Sequence, residues 1–128
     1  MPQLSTTVLK DSADVDHNFT PDGIQGNVAT LVESTGVPIG NKALSISLAK
    51  TANGRRKVTV KLAMPVIQDA VVSGVSRPTV VRAAYADLTL SFDPTSSTVE
   101  RKDVIALVKS LLGTAMFDDV AADLQQLY

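Results

Sequence analysis

The strict alternation on either side of Asn53-Gly54 constrains this chain more than any other feature. Between Lys42 and Lys50, Leu44, Ile46 and Leu48 alternate with Ser45, Ser47 and Ala49. Beyond Arg55, Val58, Val60 and Leu62 alternate with Lys57, Thr59 and Lys61. Successive strand side chains point to opposite faces, so each run has one apolar and one polar face. Asn-Gly between such runs predicts a hairpin, because both residues accept the positive φ of a tight reversing turn. A third run repeats the pattern: Tyr85, Asp87, Thr89 and Ser91 share one face, and Ala86, Leu88, Leu90 and Phe92 the other. Three such strands predict one antiparallel sheet, with one face buried and the other open.

The hairpin is basic. Residues 42 to 61 hold Lys42, Lys50, Arg55, Arg56, Lys57 and Lys61 and no acid, although the whole chain has a formal charge of -1. Acids cluster toward the two ends: Asp11, Asp14, Asp16, Asp22 and Glu33 before the hairpin, and Asp118, Asp119 and Asp123 at the end. Any binding of anions is therefore expected to be local to the hairpin. A length of 128 residues predicts a single domain over 1–128, and the scarcity of aromatics (4%, no Trp) predicts an aliphatic core. The absence of cysteine excludes disulfides, thiolate metal sites and a cysteine nucleophile. No apolar run is long enough to span a membrane and no signal sequence is visible, so no membrane partner is expected and the product reads as cytosolic.

Taken in order, residues 4–10 and 15–20 predict an N-terminal hairpin within residues 1–20, turning at Asp11–Asp14 and stopped by Pro21-Asp22-Gly23. The antiparallel sheet is expected over 27–92. Its first strand, 27–35, ends at Gly36, Pro38 and Gly40. Pro65 predicts a bend or a sheet edge, 66–72 a further strand, 73–78 an exposed connection, and 79–92 the longest strand. After Asp93-Pro94 the period changes to 3.6, and two helices are expected over 97–127. Ser97 with Glu100 three residues on is a capping-box signature. Val104, Ile105, Val108, Leu111 and Leu112 form an apolar stripe, and Gly113 is a stop. A second helix is predicted from Ala115 to Gln126. An antiparallel sheet followed by helices is an α+β layout.

No catalytic constellation is present. His17, the one histidine, reads as an ordinary surface residue, since a metal site needs three or four convergent ligands. Asp118, Asp119 and Asp123 are explained by proximity to a helix N-terminus. There is no phosphate-binding glycine loop and no nucleophile elbow, so neither an enzyme nor a cofactor is expected. The polar sheet face has two readings. One is a solvated surface, on which lysine guards against aggregation. The other is RNA binding: Lys57 and Lys61 neutralise phosphates, Ser45, Ser47 and Thr59 hydrogen-bond base edges, and Tyr85 stacks on an unpaired base.

The ordered strings ESTGVPIG, NGRRKVTVKLAMP, RPTVVRAAYADLTLSF, ERKDVIALVKSLL and the terminal LQQLY resemble the coat proteins of single-stranded RNA bacteriophages, the levivirus group. The likeness spans essentially the whole chain. It implies an N-terminal β-hairpin, a five-stranded antiparallel sheet and two C-terminal helices that reach over the partner subunit's sheet in an interlocked homodimer. It implies an icosahedral shell, the virion, made in the bacterial host cytoplasm. It further implies that the dimer binds an operator hairpin of the genomic RNA, represses replicase translation and directs packaging. By position, Val28, Ser45, Ser47, Thr59 and Lys61 resemble a pocket for an unpaired adenine, and Tyr85 a stacking tyrosine. Asp87 resembles an RNA-reading position, and Lys57, with Arg55 nearby, a phosphate contact. Thr89 stands where some members have Glu, and Ala49 where some have a basic residue. The segment 68–77 resembles the loop around the shell's openings. A free-standing dimeric RNA-binding translational regulator that forms no shell is the alternative.

Overall fold

The computed structural model describes residues 3–34 and 38–128. The expected end of the third strand at Thr35 and Gly36 lies outside the described residues. Six strands, β1 (Thr7–Lys10), β2 (Asp16–Gln25), β3 (Val28–Glu33), β4 (Lys42–Lys50), β5 (Arg56–Val72) and β6 (Val75–Phe92), lie in sequence order in one sheet. A short 3-10 turn, Pro38–Gly40, precedes β4. Two helices, α1 (Thr98–Leu112) and α2 (Ala115–Ala121), follow β6. The chain divides into two compact units, Met1–Ser91 and Phe92–Tyr128.

The apolar positions of the central strands fall in register. Leu31 lies opposite Leu44, and Leu44 opposite Leu62. Phe19 joins Leu31 and Leu44 in the buried core, and Leu4, Val60 and Leu62 pack against it. Each such side chain contributes roughly 1.5–3 kcal/mol when fully buried. The N-terminal segment, through Leu4 and Phe19, thus lies on one end of the apolar face. Further along β4 the cover ends: Ile46 is 42% exposed and Leu48 57%.

Pro21, expected to stop a strand, and Pro65, expected at a bend or a sheet edge, both lie inside strands. β2 runs through Pro21-Asp22-Gly23: residues 16–19 pair with β1, and Thr20 to Gln25 with β3. Pro21 lies opposite Leu31 and Gly23 opposite Thr30, so Asp22 is the extra residue of a β-bulge. A bulge on an edge strand tolerates both a missing N–H and the φ of +148° at Gly23. Because β2 serves the hairpin and the main sheet together, the sheet counts six strands rather than five. β5 likewise passes through Pro65. Its pairing with β4 ends at Ala63, so the missing N–H costs no bond on that side.

The turns also depart from expectation. Ser73 and Gly74 have φ of +53° and +78°, the signature of a two-residue hairpin turn. Ser76, Arg77 and Pro78 therefore belong to β6, not to a long connection. The Asn53-Gly54 loop is wider than a two-residue turn. Thr51 N–H donates to the Arg55 carbonyl at 2.8 Å, and Gly54 N–H to the Thr51 carbonyl at 2.9 Å. Gly54 takes the positive φ, +80°, and Asn53 does not.

The first helix starts as its sequence demands. Ser97 Oγ accepts from Glu100 N–H at 3.2 Å, and Glu100 Oε2 accepts from Ser97 N–H at 3.3 Å. Gly113 caps its end. The second helix stops at Ala121, short of Gln126. Leu124 takes a φ of +56°, and the Asp123 and Gln125 N–H groups fold back onto the Asp118 and Asp119 carbonyls. No basic residue occupies its last turn, and Asp123 would face the negative end of a longer helix dipole. Neither helix holds a buried residue.

Leu31→Ala, which empties the centre of the core, is expected to destabilise the fold by about 2–5 kcal/mol. Ser97→Ala, which removes only the cap, is expected to cost about 1 kcal/mol. Urea denaturation of the two variants beside the parent checks the ranking.

Candidate nucleic-acid interface

The register that assembles the core also lines up the polar positions. Val28 lies opposite Ser47, and Ser47 opposite Thr59. Two residues along, Thr30 lies opposite Ser45, and Ser45 opposite Lys61. Lys57, opposite Ala49, continues the array. Directly opposed residues share a face with their Cβ atoms about 4.5–5.5 Å apart, so these side chains form two adjoining rows on the side away from Leu44. Lys57 and Lys61 are exposed, while Ser45, Ser47 and Thr59 are half-buried. Among the described residues neither lysine enters an ion pair.

β6 supplies the aromatic and the acid. Ser45, Lys61, Tyr85 and Asp87 line one shallow hollow of about 330 Å³, together with Ala43 and Ala63. The two alanines lie opposite each other, and their small side chains leave the depression open. Tyr85 is 76% exposed, an unusual position for an aromatic ring. Thr89 follows Asp87 on the same face by strand alternation. Hydroxyls that donate and accept, an ammonium that donates, a carboxylate that accepts and an open ring form a set suited to a planar heterocycle joined to an anion. An unpaired base with its phosphate has that chemistry.

Arg55 has an additional engagement. Its Nε–H donates to Ser91 Oγ at 3.0 Å and its Nη2 to the Ser91 carbonyl at 3.4 Å, tying the β4–β5 loop to the end of β6. Local pattern gave no hint of this contact, which spans 36 residues. His17 is also no ordinary surface residue: it lies between the Asp11 and Glu33 carboxylates, away from the polar rows. Among the described residues no group of His, Cys, Asp and Glu is arranged to hold a metal ion.

The Levivirus coat protein family model matches residues 2–128. The chain is 42% identical over 130 residues to the capsid protein of Pseudomonas phage PRR1, covering 98% of this chain and 99% of that one. Its fold matches the virus-like particle of Beihai levi-like virus 21 with a TM-score of 0.88 and 28% identity, covering 99% of both chains. It also matches the virus-like particle of bacteriophage ESE058 with a TM-score of 0.90, at 24% identity and covering 99% of this chain and 100% of that one.

Tyr85 and Tyr128 are the chain's two tyrosines, and there is no tryptophan. In Tyr128→Phe, acrylamide is therefore expected to quench the remaining emission of nucleic-acid-free protein nearly as well as that of free tyrosine. A strongly protected emission would mean that the Tyr85 ring is covered.

Proposed function

The chain belongs to the levivirus coat protein family, and from that premise we propose that it builds a phage shell and binds the genomic RNA on its polar sheet face. The capsid proteins it resembles are structural rather than enzymatic. The whole of 1–128 acts as one coat-protein domain. The subunit is synthesised in the bacterial host cytoplasm and becomes part of the virion.

The observation that carries the RNA reading is the convergence of Ser45, Lys61, Tyr85 and Asp87 on one hollow, beside the row of Val28, Ser47 and Thr59. In the proposed complex an unpaired adenine of the operator hairpin enters between the hydroxyls and Lys61. A neighbouring base stacks on Tyr85, Asp87 accepts from an exocyclic amine, and Lys57 and Arg55 face phosphates. Thr89 borders the site. Occupied by the hairpin at the start of the replicase gene, this face represses translation and marks the genome for packaging.

Shell formation begins with a homodimer. Ile46 and Leu48 leave part of the apolar sheet face uncovered. α1 carries Val104, Ile105, Leu111 and Leu112 with 39–48% of each exposed. The helices of a second copy, laid across that face, cover both surfaces at once, and removing such apolar area from water is the main source of association energy. The β5–β6 tip, within 68–77, lines the shell openings.

Negative-stain microscopy of the purified protein, with its absorbance ratio at 260 and 280 nm, tests the whole reading. Round shells with a nucleic-acid spectrum are expected. A small RNA-binding oligomer without shells would instead indicate a free-standing translational regulator. Within the site, Lys61→Ala is expected to weaken hairpin binding and to reduce the slope of log K against log salt by about one. Tyr85→Ala is expected to cost about 1–3 kcal/mol through lost stacking. Unchanged binding in both variants would place the RNA on another surface.

A further inference from the structure

We propose that His17 is a proton-dependent clip fastening the N-terminal hairpin to the main sheet. The ring stands between two carboxylates. Its Nδ1 lies 2.8 and 3.0 Å from the Glu33 oxygens at the end of β3, and its Nε2 lies 2.8 Å from Asp11 Oδ2 in the β1–β2 turn. A neutral imidazole has one N–H and an imidazolium has two. Donation to both carboxylates at once therefore requires the proton. The carboxylates flank opposite edges of the ring, so their oxygens diverge and the group is a bridge rather than a ligand set for an ion.

The surrounding charges decide which half opens when the proton leaves. From β4, Lys42 Nζ lies 3.3 Å from Glu33 Oε1. From β1, Lys10 lines, with His17, Asp11 and Lys42, a second hollow that is distinct from the one beside Tyr85, but it pairs with Asp14 and Asp16 at 3.5 and 3.4 Å. Among the described residues β5 brings only Leu62 and Met64 to that hollow. The Glu33 side chain is 17% exposed and that of Asp11 39%, so Asp11 hydrates more readily. The one remaining N–H stays on Nδ1 with Glu33. The Nε2 lone pair then faces Asp11 Oδ2, and that contact becomes repulsive. Asp11 Oδ1 still accepts from the Ala13 and Val15 N–H groups, so the turn keeps its shape but is unhooked.

The titration follows the geometry. Hydrogen bonds to Asp11 first, and to Glu33 next, raise the His17 pKa above its ordinary value. The bond from His17 lowers both carboxylates below theirs. The histidine contribution is full below its unfolded pKa, near 6.5, and is lost as pH rises through the raised folded value. The carboxylate contributions are present above about 4.5 and are lost as pH falls through the lowered folded values. The clip is therefore closed in mildly acidic solution and opens toward alkaline pH, loosening β1 over the apolar hollow of Leu9, Phe19, Leu62 and Met64.

Hydrogen exchange of the full chain between about pH 5 and pH 9, corrected for the intrinsic rate, tests this. Residues 7–15 are expected to lose protection roughly tenfold with a one-proton midpoint above 6.5, while 42–50 stay protected. His17→Gln is expected to show no such transition, and Asp11→Asn to move the midpoint downward. Flat protection of 7–15 in the parent protein, or the same midpoint in Asp11→Asn, would overturn the proposal. Should His17→Gln fail to fold, the imidazole resonance of this single histidine remains decisive. A titration midpoint at or below 6.5 overturns the clip, and one above it supports the clip.

Discussion

The register of β3, β4 and β5 is the constraint on which both faces of the sheet depend. A slip of one residue would carry Leu44 to the polar side and Ser45 into the core, because strand side chains alternate with period two. The row Leu31–Leu44–Leu62, with Phe19 against it, makes such a slip expensive. The same packing holds Ser45 opposite Lys61 and Ser47 opposite Thr59. The stability of the core and the placement of the polar side chains are thus set by one alignment, with no separate scaffold for the latter.

What could be read from sequence is what alternation encodes. The central strands, their two faces, the first helix and its Ser97 cap all follow from local pattern. The Pro21 assignment does not hold, because whether a strand tolerates a proline depends on how its neighbours pair there, which is a tertiary fact; the edge expected at Pro65 is present on the β4 side. Pro21 falls at a bulge, and Pro65 beyond the last β4 partner. Ser73-Gly74 was hidden because serine is seldom chosen for a left-handed turn position. The short α2 reflects a local charge imbalance that an apolar stripe does not reveal.

The polar site was only partly readable. Ser45, Ser47, Thr59, Lys61 and Tyr85 come from strand parity, whereas Val28, Arg55, Asp87 and Thr89 needed a family likeness. The hollow itself carries no sequence signal, because it arises where two alanines, Ala43 and Ala63, happen to be opposed. The bridging place of His17 is not legible in the sequence because Glu33, its partner 16 residues on, comes within reach only when β2 pairs with β3.

The bulge at Pro21-Asp22-Gly23 has a consequence beyond the single subunit. It roughens the outer edge of the sheet where β2 passes the end of β1, so a further strand finds no even ladder there. The opposite flank is formed by β6, 18 residues long. A sheet that grows on only one flank, by a twofold operation, uses up the flank it grows on. Such an arrangement ends after one addition and bars the open-ended stacking that turns sheet proteins into fibres.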